Sequence, residues 1–389
     1  MSFGRSLQSL WPLDPSATYL NHGTVGVVPI RVAEAQRAWR DRIERHPARF
    51  MLRDLWSFTG SATDGPTLMR QAAAGVAAFV GARPDDLVFV DNTSTGVNAV
   101  LRSMTFAPGD EILVTDHIYG GLLTAVHYIA RRSGAAVRVA AMPFPAFDAA
   151  VAVARLSAGI TDRTKLVLVD HIAAESAIVF PVEDMVRVCK ARGVPVLVDG
   201  AHVPGQLALD VSAIGADYYV ANLHKWAMAP RSSAFMVVAP ERQRDLHPPV
   251  VSWGLDTGFT QEFDWVGTRD PTPWLTAPEG IRFLQDLDYG ALRGYNHDLA
   301  WHAARHLTDL WGTPLEIPES AVGCMVSVMT PASFGTTKPD AVRLRDRLLF
   351  DHNIEVQVSA RAGRVWVRVS AQAYNDREDI EKLGRALLG

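Results

Sequence analysis

Cysteine is scarce in this chain. Cys189 and Cys324 are the two present in 389 residues, far apart and without metal-ligand spacing, so neither a disulfide framework nor a zinc site is expected. That usage fits a reducing cytoplasm. No apolar stretch is long enough for a membrane span, and Met1-Ser2-Phe3-Gly4-Arg5 leads on without the apolar segment of a signal peptide, so neither a membrane partner nor export is expected. Runs of one charge are missing as well. Lys and Arg total 38 against 42 Asp and Glu, a formal net charge of −4, and no basic block offers a footprint for nucleic acid. Internal repeats and low-complexity tracts are also absent.

What is present is a chain that can bury a large core, with 48% hydrophobic and 21% charged residues, long enough for two or three domains. Apolar runs at Leu87-Val88-Phe89-Val90, Glu111-Ile112-Leu113-Val114, Lys165 to Val169, Val196-Leu197-Val198 and Ala234 to Val238 alternate with helical patterns. Such alternation predicts an α/β fold with a mostly parallel sheet covered on both faces. Ile30 to His46 reads as an amphipathic helix stopped by Pro47. The stretch from about His247 to Pro278 is rich in Pro, Trp and Gly, lacks periodicity, and reads as a crossover. Beyond it, helical patterns near 280–312 and 340–352 interleave with strands at Met325 to Met329 and Val365 to Val369, predicting a smaller α+β domain. The expected organisation is an N-terminal arm over 1–30, a large domain over 31–262, and a crossover segment with the small C-terminal domain over 263–389.

Polar residues follow the strand ends repeatedly: Asp91 to Gly96, Thr115-Asp116-His117, Asp170-His171 and Asp199-Gly200-Ala201-His202. In open α/β sheets the carboxyl ends of the strands form the ligand crevice. Lys225, within Asn222-Leu223-His224-Lys225-Trp226, lies 26 residues after Asp199. A lysine amine condenses with an aldehyde, and a carboxylate at the far end of a pyridine ring keeps its nitrogen protonated and electron-withdrawing. The pair therefore reads as a pyridoxal 5'-phosphate site in which Lys225 first holds the cofactor and then moves protons at Cα of an amino-acid substrate. Singly, a lysine beside a tryptophan is usually a surface cation and an Asp after an apolar run a strand end or cap. Thr93-Ser94-Thr95-Gly96 follows a strand and opens a helix from Val97 to Met104, where free N–H groups and the dipole favour phosphate.

Together these segments make the sequence resemble the class V aminotransferase-fold enzymes (fold type I) and, within them, the isopenicillin N epimerase-like group, over nearly the whole chain. The carriers are Tyr19-Leu20-Asn21-His22-Gly23, Asn92 to Asn98, Val198-Asp199-Gly200-Ala201-His202-Val203-Pro204-Gly205, Asn222 to Trp226, Gly267-Thr268-Arg269-Asp270 and Arg368-Val369-Ser370. The resemblance implies Asn222 and His224 in the phosphate cradle, with Gly267 and Thr268 arriving from a neighbouring subunit of a homodimer. It implies Tyr119 against the cofactor ring on the face opposite the lysine, and His202 at the ring-nitrogen end. It makes Arg368 the clamp for the substrate carboxylate, whose planar fork matches that anion, the alternative being a solvated strand arginine. Asn21 and His22 would line the substrate side.

Two departures bear on the reaction. Where relatives carry a His-Ile-Thr-Ser-Pro-Thr type segment, this chain has His171-Ile172-Ala173-Ala174-Glu175-Ser176, losing hydroxyls and placing Glu175 near the cofactor's phenolic oxygen. Pro230-Arg231-Ser232-Ser233 replaces a commoner Pro-Lys-Gly, adding a cation near the phosphate. Cys324 reads as core and Cys189 as a helix residue, which disfavours the mobile-cysteine chemistry of desulfurases. The leading expectation is a lyase that removes the Cα proton of a cysteine S-conjugate and expels the β-sulfur group. Epimerisation through Tyr119, decarboxylation-coupled oxidative deamination resembling a branch of lincosamide biosynthesis, and transamination are the alternatives. A cofactor-fold protein serving as a structural or regulatory module is the reading from a different class.

Overall fold

A computed structural model describes residues 2–57 and 65–388. The strands are β1 (Thr18–Tyr19), β2 (Leu87–Val90), β3 (Glu111–Thr115), β4 (Ala136–Ala140), β5 (Thr164–Asp170), β6 (Val196–Asp199), β7 (Tyr218–Asn222), β8 (Ala234–Val238), β9 (Met325–Met329), β10 (Ile354–Glu355), β11 (Gln357–Arg361) and β12 (Arg364–Ser370). The large sheet runs β2-β8-β7-β6-β5-β3-β4. All its neighbouring pairs are parallel except those of β8, which is antiparallel to β2 and β7. Helices on both faces explain why β2, β3, β6 and β7 are buried along their length, and why β2, β3 and β6 read as apolar runs.

Two strands of this sheet escape the apolar-run pattern. β4 is an edge strand, half solvated and carrying Arg138, as edges commonly are. β7 is central, but its Tyr218-Tyr219-Val220-Ala221-Asn222 ends on a polar residue that the site requires. The helix from Ile30 does end before Pro47, at Arg45, yet Pro47 then sits at the first position of a new turn, Pro47–Arg49, that runs on into Phe50–Asp54. Proline suits a first turn because the missing N–H would be unpaired there anyway.

The stretch expected to be an aperiodic crossover instead holds helices Phe259–Asp264 and Thr272–Asp286, the second with Pro278 inside it. Burial outweighs the breaker. Trp274, Leu275, Ala277, Ile281, Phe283 and Leu284 belong to the same core as the large sheet, and the helix is tied to the one from Ile30 through Arg31 to Glu279 and Asp286 at 2.5 and 2.6 Å. Apart from Leu20, the second core is drawn from Leu299 onward, so helix Tyr289–Trp311 passes from one core to the other. The small domain packs this helix, Lys338–His352 and Arg377–Ala386 with the antiparallel sheet β11-β12-β9. β1 pairs in parallel with β10, and Asn21 bridges to Ser370. Residues before the first long helix are thereby joined to the small domain, at the edge of the crevice between the two cores. No helix among the described residues is long and apolar enough to cross a membrane.

Helix Thr272–Asp286 also reaches the segment after Lys225. A Cβ on Gly280 would lie 2.6 Å from the Ala227 carbonyl oxygen and 2.9 Å from the backbone of Met228 and Ala229. In an open helix, Gly to Ala gains about 0.5–1 kcal/mol. Here overpacking against backbone, worth about 1–3 kcal/mol, reverses the sign, and Gly280→Ala is expected to destabilise the protein by about 1–2 kcal/mol in denaturant unfolding. An unchanged or raised midpoint would contradict that close approach.

Candidate active site

The crevice at the carboxyl ends of the large sheet is a cleft with an empty volume of about 680 Å³, lined in part by Asn92, Thr93 and Ser94 after β2, Tyr119 and Leu122 after β3, Asp170 at the end of β5, and Asp199, Ala201 and His202 after β6. Asn222, His224 and Lys225 after β7 close the wall opposite Thr24 and Ala174.

Lys225 is held from behind. His22, fully buried, has Nε2 at 3.0 Å from the Lys225 carbonyl and Nδ1 at 2.9 Å from the Tyr374 hydroxyl. A carbonyl only accepts, so Nε2 carries the proton and Nδ1 accepts from the tyrosine. Burial lowers the His22 pKa to about 4, so the ring stays neutral. This corrects the expectation for His22: it fixes the lysine's backbone and does not line the substrate side. Gly205, at φ 100, lies so close to the next residue that a Cβ would meet the Trp226 carbonyl oxygen at 2.2 Å.

The lysine amine points into the cleft and meets His202 Nε2 at 3.1 Å. His202 therefore sits at the amine end of the site, not with Asp199 at the ring-nitrogen end. Asp199 Oδ1 is turned back onto the Ala201 N–H at 2.8 Å, and that turn carries the imidazole across. Burial, then the Arg368 charge, lowers the Lys225 pKa to about 8, opposed by Asp199. Burial, joined by the Lys225 charge, keeps His202 well below its ordinary value. A neutral His202 accepts from the ammonium form of the lysine.

Asp199 and Asp170 end neighbouring strands in register. Burial raises Asp199 to about 6, moderated by the Ala201 N–H and Lys225. Burial and the Asp199 charge push Asp170 well above the carboxylate range, so Asp170 is the member that keeps its proton and Asp199 carries the negative charge. Two carboxyls this close do not both ionise in a buried site. Asp170 Oδ2 is buried without a hydrogen-bond partner. The sequence places Asp170 at a strand end but gives no sign of its register with Asp199.

At the other wall, helix Thr93–Ser103 opens into the cleft, with Asn92 capping the Thr95 N–H at 2.9 Å and Asn222 Oδ1 accepting from the Thr93 N–H at 3.0 Å. Thr95 faces its own cap and does not line the cleft. The Thr93 hydroxyl is buried without a partner. His224 donates Nδ1–H to the Ser233 carbonyl at 3.0 Å, and burial with the nearby Lys225 charge lowers its pKa to about 4. Tyr119 caps the helix from Gly120 with its side chain half exposed.

Arg368 is buried behind Thr24 and Ala174. It donates to the Ala174 carbonyl, to Thr24 Oγ1 at 2.8 Å and to Asn21 Oδ1 at 3.3 Å, while its Nε–H has no partner. Asn21 thus supports Arg368 and does not face the cleft. Glu175 is exposed and outside the cleft lining, because Ala174 takes the inward position; the expected place near a phenolic oxygen falls to Ala174. Gly267 and Thr268 are not brought to this cleft by their own chain. Arg231 donates to the Gly26 carbonyl at 3.4 Å. Asn92, Asp170 and Ala174 line the cleft from segments named above without a role having been given to them, and Thr24 lines it unnamed, its available signal being its place directly after Asn21-His22-Gly23.

The Aminotransferase class-V family matches residues 57–383. Isopenicillin N epimerase of Streptomyces clavuligerus is 32% identical over 393 residues, covering 96% of this chain and 95% of that protein. The chain belongs to the class-V aminotransferase family. L-cysteine desulfhydrase of Arabidopsis thaliana is 32% identical over 405 residues, 95% of this chain and 86% of the relative. Among solved structures, the cystine C-S lyase C-DES with its product cysteine persulfide superposes at a TM-score of 0.80 with 23% identity, covering 95% of this chain and 97% of that one, a likeness of fold.

This class-V member is a pyridoxal 5'-phosphate-dependent enzyme. Its cleft suits that cofactor: an unpartnered Thr93 hydroxyl beside a helix start for the phosphate, a charged Asp199 for the ring nitrogen, and one lysine amine in the same lining. When bound, the cofactor draws off the electron pair left at Cα when a bond there breaks. Because only the neutral amine attacks an aldehyde, capture of added cofactor by the apoprotein should accelerate with rising pH through a midpoint near 8. Arg368→Gln, which removes a neighbouring cation, should move that midpoint upward. Rapid-mixing absorbance over pH 6–11 measures both, and a wild-type midpoint at the ordinary lysine value would contradict the placement of the amine.

Proposed function

We propose that the enzyme catalyses β-elimination on a cysteine S-conjugate, releasing a thiol. The observation that carries this reading is a single lysine amine, in contact with His202, in a cleft whose described lining contains no thiol. Both cysteines are buried elsewhere, with burial pushing each thiol up to about 12. Sulfur that leaves the substrate therefore has no protein thiolate to receive it. The names of the relatives, a cysteine desulfhydrase and an epimerase acting at an amino-acid centre, support chemistry at Cα and Cβ.

In this reading the substrate carboxylate takes the free Nε–H of Arg368 and displaces Thr24 from the guanidinium. Lys225 removes the Cα proton, the Cβ–S bond breaks, and the proton passes from the Lys225–His202 pair to the departing sulfur. Aminoacrylate leaves and is hydrolysed by water to pyruvate and ammonium. Thr93, Ser94, Asn222 and His224 hold the phosphate, with Thr95 supporting the helix start, and Tyr119 covers the ring. Gly267 and Thr268 complete the cradle from the partner subunit of a homodimer, a reading supported by the largely exposed Val250 and Val251 on the segment that precedes them. The protein is placed in the cytoplasm, where thiols stay reduced.

Epimerisation is the second reading, favoured by the position of Tyr119 in the cleft wall, from which it could return a proton to the opposite face. Incubation with S-substituted cysteines in deuterated water separates the two. Elimination gives pyruvate and free thiol in equal amounts, both lowered at least about 1,000-fold in Lys225→Ala. Recovered, deuterated substrate of inverted hand without pyruvate would establish epimerisation instead, and carbon dioxide release would indicate the oxidative route.

A further inference from the structure

We propose that Glu175 selects the distal arm of the substrate, favouring cysteine S-conjugates whose sulfur substituent carries a positive charge such as a primary ammonium. This rests on the elimination reading above.

The turn that presents Glu175 is fixed on every side. Ile172 bridges to Val179, the Ala177 N–H donates to the Ala173 carbonyl at 3.0 Å, Ser327 Oγ donates to the Glu175 carbonyl at 2.5 Å, and Ser176 Oγ meets His117 Nδ1 at 2.7 Å. Ala174 faces the cleft while its carbonyl receives Arg368. Glu175, the next residue, is exposed beside this wall, and its charge acts on Arg368.

Charge bookkeeping here points to the ligand. Two guanidiniums, Arg361 and Arg368, face two carboxylates, Asp116 and Glu175, and Glu175 is near enough to stabilise both cations. Arg361 is committed. It lies 3.4 Å from the Asp116 carboxylate, donates to the Asp116 carbonyl at 2.9 Å, and rests over the Phe144 ring at 5.2 Å. When the α-carboxylate of a substrate takes Arg368, Glu175 is the anion left without a counter-charge. A cationic arm restores the balance, a neutral arm leaves it unmet, and an anionic arm adds repulsion. Opposed attraction and repulsion at an exposed carboxylate give a spread of about tenfold.

The holoenzyme would be assayed for thiol release from S-(2-aminoethyl)-, S-propyl- and S-carboxymethyl-L-cysteine. The expected order of kcat/KM is aminoethyl, propyl, carboxymethyl, with about tenfold between the extremes carried mainly by KM. Glu175→Gln should compress that spread to about twofold and Glu175→Arg should invert the order. No charge preference in the wild type, or an order unaltered in both variants, would overturn the inference. If no conjugate releases a thiol, the elimination reading fails by itself. Dissociation constants of the α-methyl analogues, which lack the Cα hydrogen, then decide the role of Glu175: the same charge order, lost in Glu175→Gln, upholds it, and a flat series overturns it.

Discussion

The site depends on how the backbone around Lys225 is gripped. His22 donates to the Lys225 carbonyl, Gly205 abuts the Trp226 carbonyl, and Gly280 abuts that of Ala227. These three contacts come from the N-terminal segment, the loop after β6 and the helix beyond the sheet. A side chain with four rotatable bonds loses much entropy when held in one place, and a rigid base limits how far its amine can stray. Met228, three residues on, holds φ at 60°, a conformation unfavourable for a side chain of its size. The surrounding contacts impose it.

With the amine fixed, burial sets the charges. Lys225 is drawn down toward neutral pH, His22, His202 and His224 are kept uncharged, and of the two in-register acids Asp170 keeps its proton while Asp199 bears the charge. The result is a cleft with a basic amine at one end and one negative charge at the other. That division is what an aromatic aldehyde with a ring nitrogen requires. Arg368, buried and supported by Asn21 and Thr24, adds the fixed positive charge that gives a substrate its direction.

Much of this was legible in the sequence because the chemistry restricts residue type. Few groups can replace a lysine that meets an aldehyde or an acid that meets a pyridine nitrogen, and the acid stands at the end of an apolar run. The parallel sheet was legible in its buried strands for the same reason that they are apolar throughout. Edge strand β4, carrying the half-buried Arg138, and β7, ending on Asn222, fell outside that pattern. The stretch from His247 to Pro278 reads as an aperiodic crossover, whereas the apolar face from Trp274 to Leu284 holds a helix together around Pro278. His22 and His202 were misplaced because their roles are set by partners distant in sequence, Tyr374 for one and Lys225 for the other. Glu175 was assigned inward because a motif gives order along the chain but not which of two adjacent side chains turns toward the cleft.

The lysines of the chain are Lys165, Lys190, Lys225, Lys338 and Lys382, and Lys225 is the one that lines the cleft. Borohydride reduction of the cofactor-loaded protein, followed by peptide mass mapping, tests this most directly. The account predicts a phosphopyridoxyl group on the peptide containing Lys225 and on no other. Stoichiometric label on Lys165, Lys190, Lys338 or Lys382, with Lys225 unmodified, would contradict it.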